Sequence, residues 1–244
     1  MRARFRTALF ATVLATLTTA CGERDVGPTG VSPTEAFGRV RFVNVVTNGT
    51  GADTGTVNIT LEDVPMGVNL AYGTGATPYH PVYGGNRHIV VMRTVDPSIT
   101  ILEADVALSA DTSQTVYGVR QGGGTASAFV TLDNLELPTG NQVKVRAVHH
   151  APNLGNVDVY VTAPNADLTT ATPQFANVAP RSATGYLTLA RATYQVRFTT
   201  AGTKTVRLSA TVTPPSGAAP LIRTVVALDP QTGTTPTSAV LSDR

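Results

Sequence analysis

Beyond residue 38 the chain carries short runs in which apolar and polar side chains alternate or apolar residues dominate. "RVRFVNVV" (39–46), "TVNITLE" (56–62), "RHIVVMR" (87–93), "SITILEADVAL" (98–108), "QTVYGVR" (114–120) and "ASAFVTL" (126–132) are rich in Val, Ile and Thr and bounded by Gly, Pro, Asn and Asp. That period and those boundaries predict β-strands. Segment 98–117 lacks Gly and Pro, which leaves "ILEADVAL" a helical alternative. No stretch shows a capped helical period, so strand is the reading taken.

The pattern then restarts. "QVKVRAVHH" (142–150) repeats "GRVRFVNVV" (38–46), "NVDVYVT" (156–162) repeats "TVNITLE", and "FANVA" (175–179) echoes "GVNLA" (67–71). "RTVVAL" (223–228) parallels "QTVYGV" (114–119), and "TSAVLSD" (237–243) parallels "ASAFVTLDN" (126–134). The pairs stay in order at separations of about 100 to 111 residues. They predict two tandem copies, 39–139 and 140–244, joined near "LPTGN" (137–141). Each copy is long enough to bury a core without a disulfide. The expected fold is all-β: two tandem immunoglobulin-like antiparallel β-sandwich domains.

The N-terminus reads differently. Arg2, Arg4 and Arg6 precede an apolar run from Ala8 to Leu17, the layout of a signal peptide. The run is about half the roughly 20 residues that a membrane-spanning helix needs. Thr18, Thr19 and Ala20 then lead into Cys21, the one cysteine of the chain. This resembles the bacterial lipobox, which implies cleavage of a signal at 1–20 and a lipid on the sulfur of Cys21. The other reading is an ordinary secretory signal cut near Ala20, with a free thiol left over. Gly22 follows in place of an aspartate that would suggest inner-membrane retention, so the expected address is a lipid-anchored position in the bacterial cell envelope, at the outer membrane. Residues 21–38 are expected to form an acylated cysteine and flexible tether, the seventeen residues after Cys21 being rich in Gly, Pro, Thr and Ser. A flexible chain of that length spans about 20 to 25 Å.

Removal of the signal changes the charge. Three of the 18 basic residues leave with it, so 15 remain against 16 acidic ones. A nearly neutral chain with two lysines, Lys144 and Lys204, far apart in sequence lacks the basic face of a nucleic-acid binder.

The run "VRAVHHAPNLGNVDVYV" (145–161) and the later "FANVAPRSATGYLTLARATYQVRFTTAGT" (175–203) resemble the secreted bacterial family known as domain of unknown function 4397. His149, Pro152, Val157, Asp158, Val159, Tyr160, Tyr186, Leu187, Tyr194 and Val196 fall on its pattern, while His150, Ala151 and Ala192 depart from it. The first copy matches more weakly. The resemblance implies a β-sandwich on an exported protein and brings no established activity.

Motifs for chemistry are sparse. The sequence has no G-x-S-x-G elbow, H-E-x-x-H pair or P-loop. His149 and His150 are adjacent, and adjacent strand side chains point to opposite faces, so a shared metal ion is not expected. Asp158 reads as a solvated or loop-capping carboxylate, and "QGGG" (121–124) as a hairpin turn. No metal and no cofactor are expected. One stretch stands out: "AYGTGATPYHPVYGGNRH" (71–88) gathers Tyr72, Tyr79, His80, Tyr83 and His88 among glycines and prolines. Tyrosines on a rigid loop suit sugar or protein contacts. Tyr72 is expected in the sandwich, with Tyr79, His80 and Tyr83 exposed as a candidate ligand site.

The expected function is a non-catalytic cell-envelope lipoprotein, a structural, adhesion or scaffold module held to the membrane by its lipid, with an envelope protein or glycan as partner. The alternative is a ligand-binding lipoprotein that recognises a glycan, peptide or small solute through the 71–88 loop.

Overall fold

The computed structural model describes residues 36–46, 55–120, 126–217, 220–231 and 233–244. Cys21, the signal segment and "QGGG" lie outside the described residues. The first strands are β1 (Phe37–Val45), β2 (Val57–Leu61), β3 (Val64–Leu70), β4 (His80–Tyr83), β5 (Gly85–Arg93), β6 (Thr100–Leu108), β7 (Ser113–Arg120) and β8 (Ala126–Leu132). They form two sheets, ordered β4-β1-β7-β8 and β3-β2-β5-β6. Strand β1 begins at Phe37, so Phe37 and Gly38 belong to the folded body and not to the tether. Within segment 98–108 the strand runs over Thr100–Leu108, because Leu102, Val106 and Leu108 must alternate into one core.

The chain continues with β9 (Gln142–His150), β10 (Val157–Thr162), β11 (Phe175–Val178), β12 (Ser182–Ala183), β13 (Leu187–Ala190), β14 (Tyr194–Thr200), β15 (Val206–Val212), β16 (Leu221–Leu228) and β17 (Thr237–Ser242). Their order repeats that of the first half: β12-β9-β16-β17, with β13 also on β9, and β11-β10-β14-β15. Neighbours are antiparallel except β1 with β7 and β9 with β16, which are parallel. Such a pair needs a long crossover. In each half the chain supplies it by passing through the outer sheet before returning.

One sequence echo has a local cause. Asn69 in β3 and Asn177 in β11 both adopt left-handed backbone, at φ 55° and 53°, a conformation that asparagine tolerates better than most residues. Each sits opposite a register shift against its partner strand. The amide of Asn69 donates to Asn58 Oδ1 at 2.9 Å, and that of Asn177 to Asp158 Oδ1 at 2.7 Å. Asp158 also accepts from the Gly202 amide at 2.8 Å, so it is a buried loop cap.

Three apolar cores order the layers. Val40, Phe42 and Val116 pack on the outer sheet of the first half, and Val143, Val145 and Val225 pack on that of the second. Between the two inner sheets lies a third core of Val43, Val45, Tyr117, Val148, Val226, Leu228, Ala239 and Leu241. The four sheets therefore stack with both inner sheets covered on both faces, and residues 36–244 form one compact unit. This explains why β9 is buried from its second residue to its last and why β1 and β16 are almost as enclosed. In β1 the even positions face outwards to the first half's own core, while Arg41, Val43 and Val45 face the joint.

Each half owns a two-sheet core, and the joint exposes a further apolar face when the halves part. Fragments 39–139 and 140–244, produced separately, are expected to give β-type circular dichroism and to form a one-to-one complex on mixing. Analytical ultracentrifugation of the mixture would show no complex if the third core contributes nothing.

Candidate functional site

The polar residues of 71–88 do not form one exposed loop. Tyr72 packs against the third core, and its hydroxyl donates to the Asp229 carbonyl at 2.7 Å. Gly73 follows at φ 74°, and a Cβ there would lie 2.6 Å from Leu228. Only glycine allows this approach of the two halves. Tyr79, expected on the surface, is half-buried: its hydroxyl donates to Asp133 Oδ2 at 2.7 Å and its ring lies 4.9 Å from the Arg41 guanidinium. Burial, with Asp133 adding to it, pushes its phenol up. His80 is half-buried in β4, opposite Val40 of β1. Tyr83 is exposed at 42 %, stacked at 4.1 Å on Phe37, itself 50 % exposed. Tyr79 and Tyr83 thus have separate neighbours. The physical reason is the buried charge beside Tyr79, which takes its hydroxyl and its ring.

That charge belongs to a closed circuit across the joint. Arg41 donates through Nε to Thr115 Oγ1 at 2.8 Å, through Nη1 to the Ser242 carbonyl at 3.0 Å and through Nη2 to Asp243 Oδ1 at 2.6 Å. Arg146 repeats each contact in the other direction, to Thr224 Oγ1 at 2.8 Å, to the Leu132 carbonyl at 2.9 Å and to Asp133 Oδ1. Thr115 then donates to Asp133 and Thr224 to Asp243, each within its own half. Tyr186 donates to Asp243 at 2.8 Å, as Tyr79 does to Asp133, and its ring lies 4.6 Å from the Arg146 guanidinium. Each arginine is thus held by a threonine and a tyrosine of its own half and by an aspartate of the other. Burial pulls the Arg41 guanidinium down, Asp243 and nearby tyrosines push it up, and the net is upward. The arginine and aspartate side chains are essentially sealed from solvent, so the charges of the circuit hold the halves together, while the Tyr186 ring also lines an open groove.

Sequence reasoning missed this circuit, although its parts lie at the repeat spacing. Arg41 with Arg146, Thr115 with Thr224, Asp133 with Asp243 and Tyr79 with Tyr186 all fall within the matched segments or near them. An arginine kept at the centre of the corresponding strand in both copies, Arg41 and Arg146, was the available signal.

At another part of the joint, His150 packs between Tyr117 and Phe129, both at 5.1 Å between ring centroids. His149 faces the opposite way, its Nε2 donating to the Gly155 carbonyl at 2.7 Å. Both ring nitrogens of His150 are enclosed without a partner among the described residues. Burial, aided by Arg181 and His149, pushes its pKa down to about 3.

Two open grooves flank the connector at 133–139. One, of about 490 Å³, is lined by Arg39, Leu132, Glu136 and Arg244 among others, and the second, of about 520 Å³, by Leu137, Lys144 and Tyr186 among others. Lys144 Nζ spans the connector, donating to the Asn134 and Glu136 carbonyls at 3.0 and 2.9 Å. Neither groove includes Tyr79, His80 or Tyr83.

A profile of the domain of unknown function DUF4397 matches residues 38–160, half of the chain. The matched span covers the first half, the connector, β9 and β10, whereas the resemblance quoted above was stronger in the second half. No curated protein matches the sequence. Among solved structures, similarity extends to an alpha-glucan-recognising family 41 carbohydrate-binding module from streptococcal virulence factors, at 10% identity over 83% of this chain and 96% of that one, with a TM-score of 0.26. A family 26 carbohydrate-binding module from Eubacterium rectale, in complex with maltoheptaose, gives 10%, 84%, 97% and 0.24 by the same measures. A protein from Parabacteroides distasonis described as a cell adhesion protein gives 10%, 85%, 99% and 0.21. Overlaps of that size carry no argument about ligands.

Three expected outcomes follow from the geometry. Arg41→Ala or Asp243→Ala leaves an uncompensated buried charge and costs about 3 to 5 kcal/mol in urea unfolding. The double variant loses clearly less than the two single losses added together, which a double-mutant cycle reads as coupling. Tyr79→Phe removes a hydrogen bond to a charged group and costs about 1.5 to 3 kcal/mol, whereas Tyr83→Ser on the surface stays within about 0.5 kcal/mol. For His150 the unfolded chain, with a pKa near 6.5, takes up a proton before the folded one. Stability from this group is therefore full above about pH 6.5 and declines as pH falls towards 3. Replacing it by His150→Phe should flatten the fall in urea midpoint between neutral pH and about pH 4.5, and an unchanged slope would contradict this account.

Proposed function

We propose that this chain, which belongs to the DUF4397 family, is a non-catalytic scaffold or adhesion module of a bacterial cell envelope, carried on a lipid at Cys21. The observation that supports the reading is the joint. Buried arginines and aspartates, and the two tyrosine hydroxyls bonded to those aspartates, are engaged in locking two sandwiches into one four-layer body. A body of that kind, carried on the residues that follow Cys21, suits spacing or presentation outside the membrane. The second half is read as another copy of the family domain, on the strength of its identical strand order and matching circuit. The ligand-binding alternative through 71–88 is weakened, since Tyr79 is committed to Asp133 and Tyr83 alone of its tyrosines remains prominently exposed.

The anchor is tested by Cys21→Ser. The substituted protein is expected in the soluble fraction, while the parent pellets with membranes through a high-salt wash. Retention of the Cys21→Ser protein in washed membranes would defeat the lipid-anchor reading.

A further inference from the structure

The point at which the chain enters the folded body is an exposed aromatic rim. Phe37 opens β1 and pairs with Tyr83 at the end of β4, and the two rings stack at 50 % and 42 % exposure. On the same rim β7 starts beside Arg39 and β8 ends at Leu132, which is 64 % exposed. Arginines and exposed acids both lie around this surface, the Asp111 amide donating to the Phe37 carbonyl at 3.1 Å. Arg39 and Arg244 share the groove with Leu132, and Arg87 is held beside Tyr83 by its hydrogen bonds to the Tyr83 and Gly84 carbonyls. Asp111 and Glu136 are the acidic residues of that groove's lining besides the buried Asp133. Exposed aromatic rings, an exposed leucine and arginines together suit the boundary between lipid headgroups and acyl chains.

We infer that this rim docks on the membrane surface, so that the body lies against the bilayer at the Phe37–Tyr83 end. The inference rests on the lipid anchor proposed above and adds an orientation to it. Fourteen residues separate Cys21 from Ala36. Whatever its conformation, a chain of that length reaches at most about 50 Å, which keeps the rim within reach of the surface. Of all positions in the body, the start of β1 is the nearest to Cys21 along the chain. Rings at the headgroup level add apolar burial there, and the arginines add attraction to anionic lipid that salt screens.

The sequence supplies its own tools for the test, because it has one cysteine and no tryptophan. The mature chain from Cys21 is coupled through that thiol to a maleimide lipid in vesicles of phosphatidylethanolamine and phosphatidylglycerol. Anchoring is then chemical and independent of acylation in the cell. Phe37→Trp and Tyr83→Trp chains each carry a single indole at the rim. Val95→Trp, at a 67 % exposed position beyond the far end of β5, places one about 30 Å away by strand rise. Coupling is expected to shift the emission of the two rim variants to the blue and to make it quenchable by brominated acyl chains. The Val95→Trp chain should show neither change. Emission from the rim variants that stays unchanged on coupling overturns the inference, as does equal quenching at all three positions. A shift caused by soluble peptidoglycan fragments but not by vesicles would also overturn it and assign the rim to a glycan. Docking seen with the coupled chain, together with Cys21→Ser protein still pelleting in cells, would defeat the anchor reading while leaving the rim's affinity for lipid in place.

Discussion

Everything in this molecule turns on two buried arginines that exchange partners across the joint. A guanidinium taken out of water costs several kcal/mol unless its donors are met and its charge is opposed. Arg41 finds both only when Asp243 and the Ser242 carbonyl of the other half are in place. Arg146 finds them only with Asp133 and the Leu132 carbonyl. Threonine and tyrosine hydroxyls occupy the remaining lone pairs of the carboxylates, so the circuit closes without an orphan among its charged groups. A satisfied network of this kind is demanding in geometry, and that demand defines one register for two sheets whose apolar faces alone could slide.

The joint is reciprocal in its charges and unequal in its packing. His150 meets Tyr117 and Phe129 in one part. The corresponding partners in the other part, Val45, Val226 and Ala239, are smaller. The space beside Leu228 and Ala239 is closed by Tyr72, Gly73 and Ala76 of the first half. Large against small on one side and a loop insertion on the other keep the density expected of an interior. The same arrangement makes the halves non-interchangeable, because each surface is shaped for the other and not for itself. Placing a histidine inside the aromatic part, where burial holds its pKa down to about 3, also makes the joint sensitive to acid.

A doubly covered inner sheet bears on function. Polar side chains of the joint face other protein atoms, so recognition must take place on the outer sheets, the rims or the connector grooves. The rim carrying Phe37 and Tyr83 joins exposed aromatic surface to the place where the chain enters the body. On the proposal that this rim meets a membrane, rigidity across the joint would hold the second half in a fixed position relative to it.

How much of this was legible beforehand differs from feature to feature. Alternation in "TVNITLE" and the turn residues around it pointed to β2, because a strand with one wet face must alternate, whereas "ILEADVAL" left a helical alternative that packing into the first core decided for β6. Repetition of "GVNLA" in "FANVA" was legible as an echo, and the structure supplies its cause, a shared register shift at which the asparagine takes left-handed backbone in both. Short strands β12 and β13 left no such mark, being held by pairing with β9 rather than by a pattern of their own. For the candidate site, Tyr83 was legible as a surface residue and Tyr79 was not. Tyr79's burial follows from Asp133, 54 residues away, which in turn answers to Arg146 of the other half. A sequence records which side chains have a charge to satisfy. Only the tertiary structure decides which of them meet, because Arg41 and Asp243 stand 202 residues apart and their pairing is a property of stacked sheets, not of any local period.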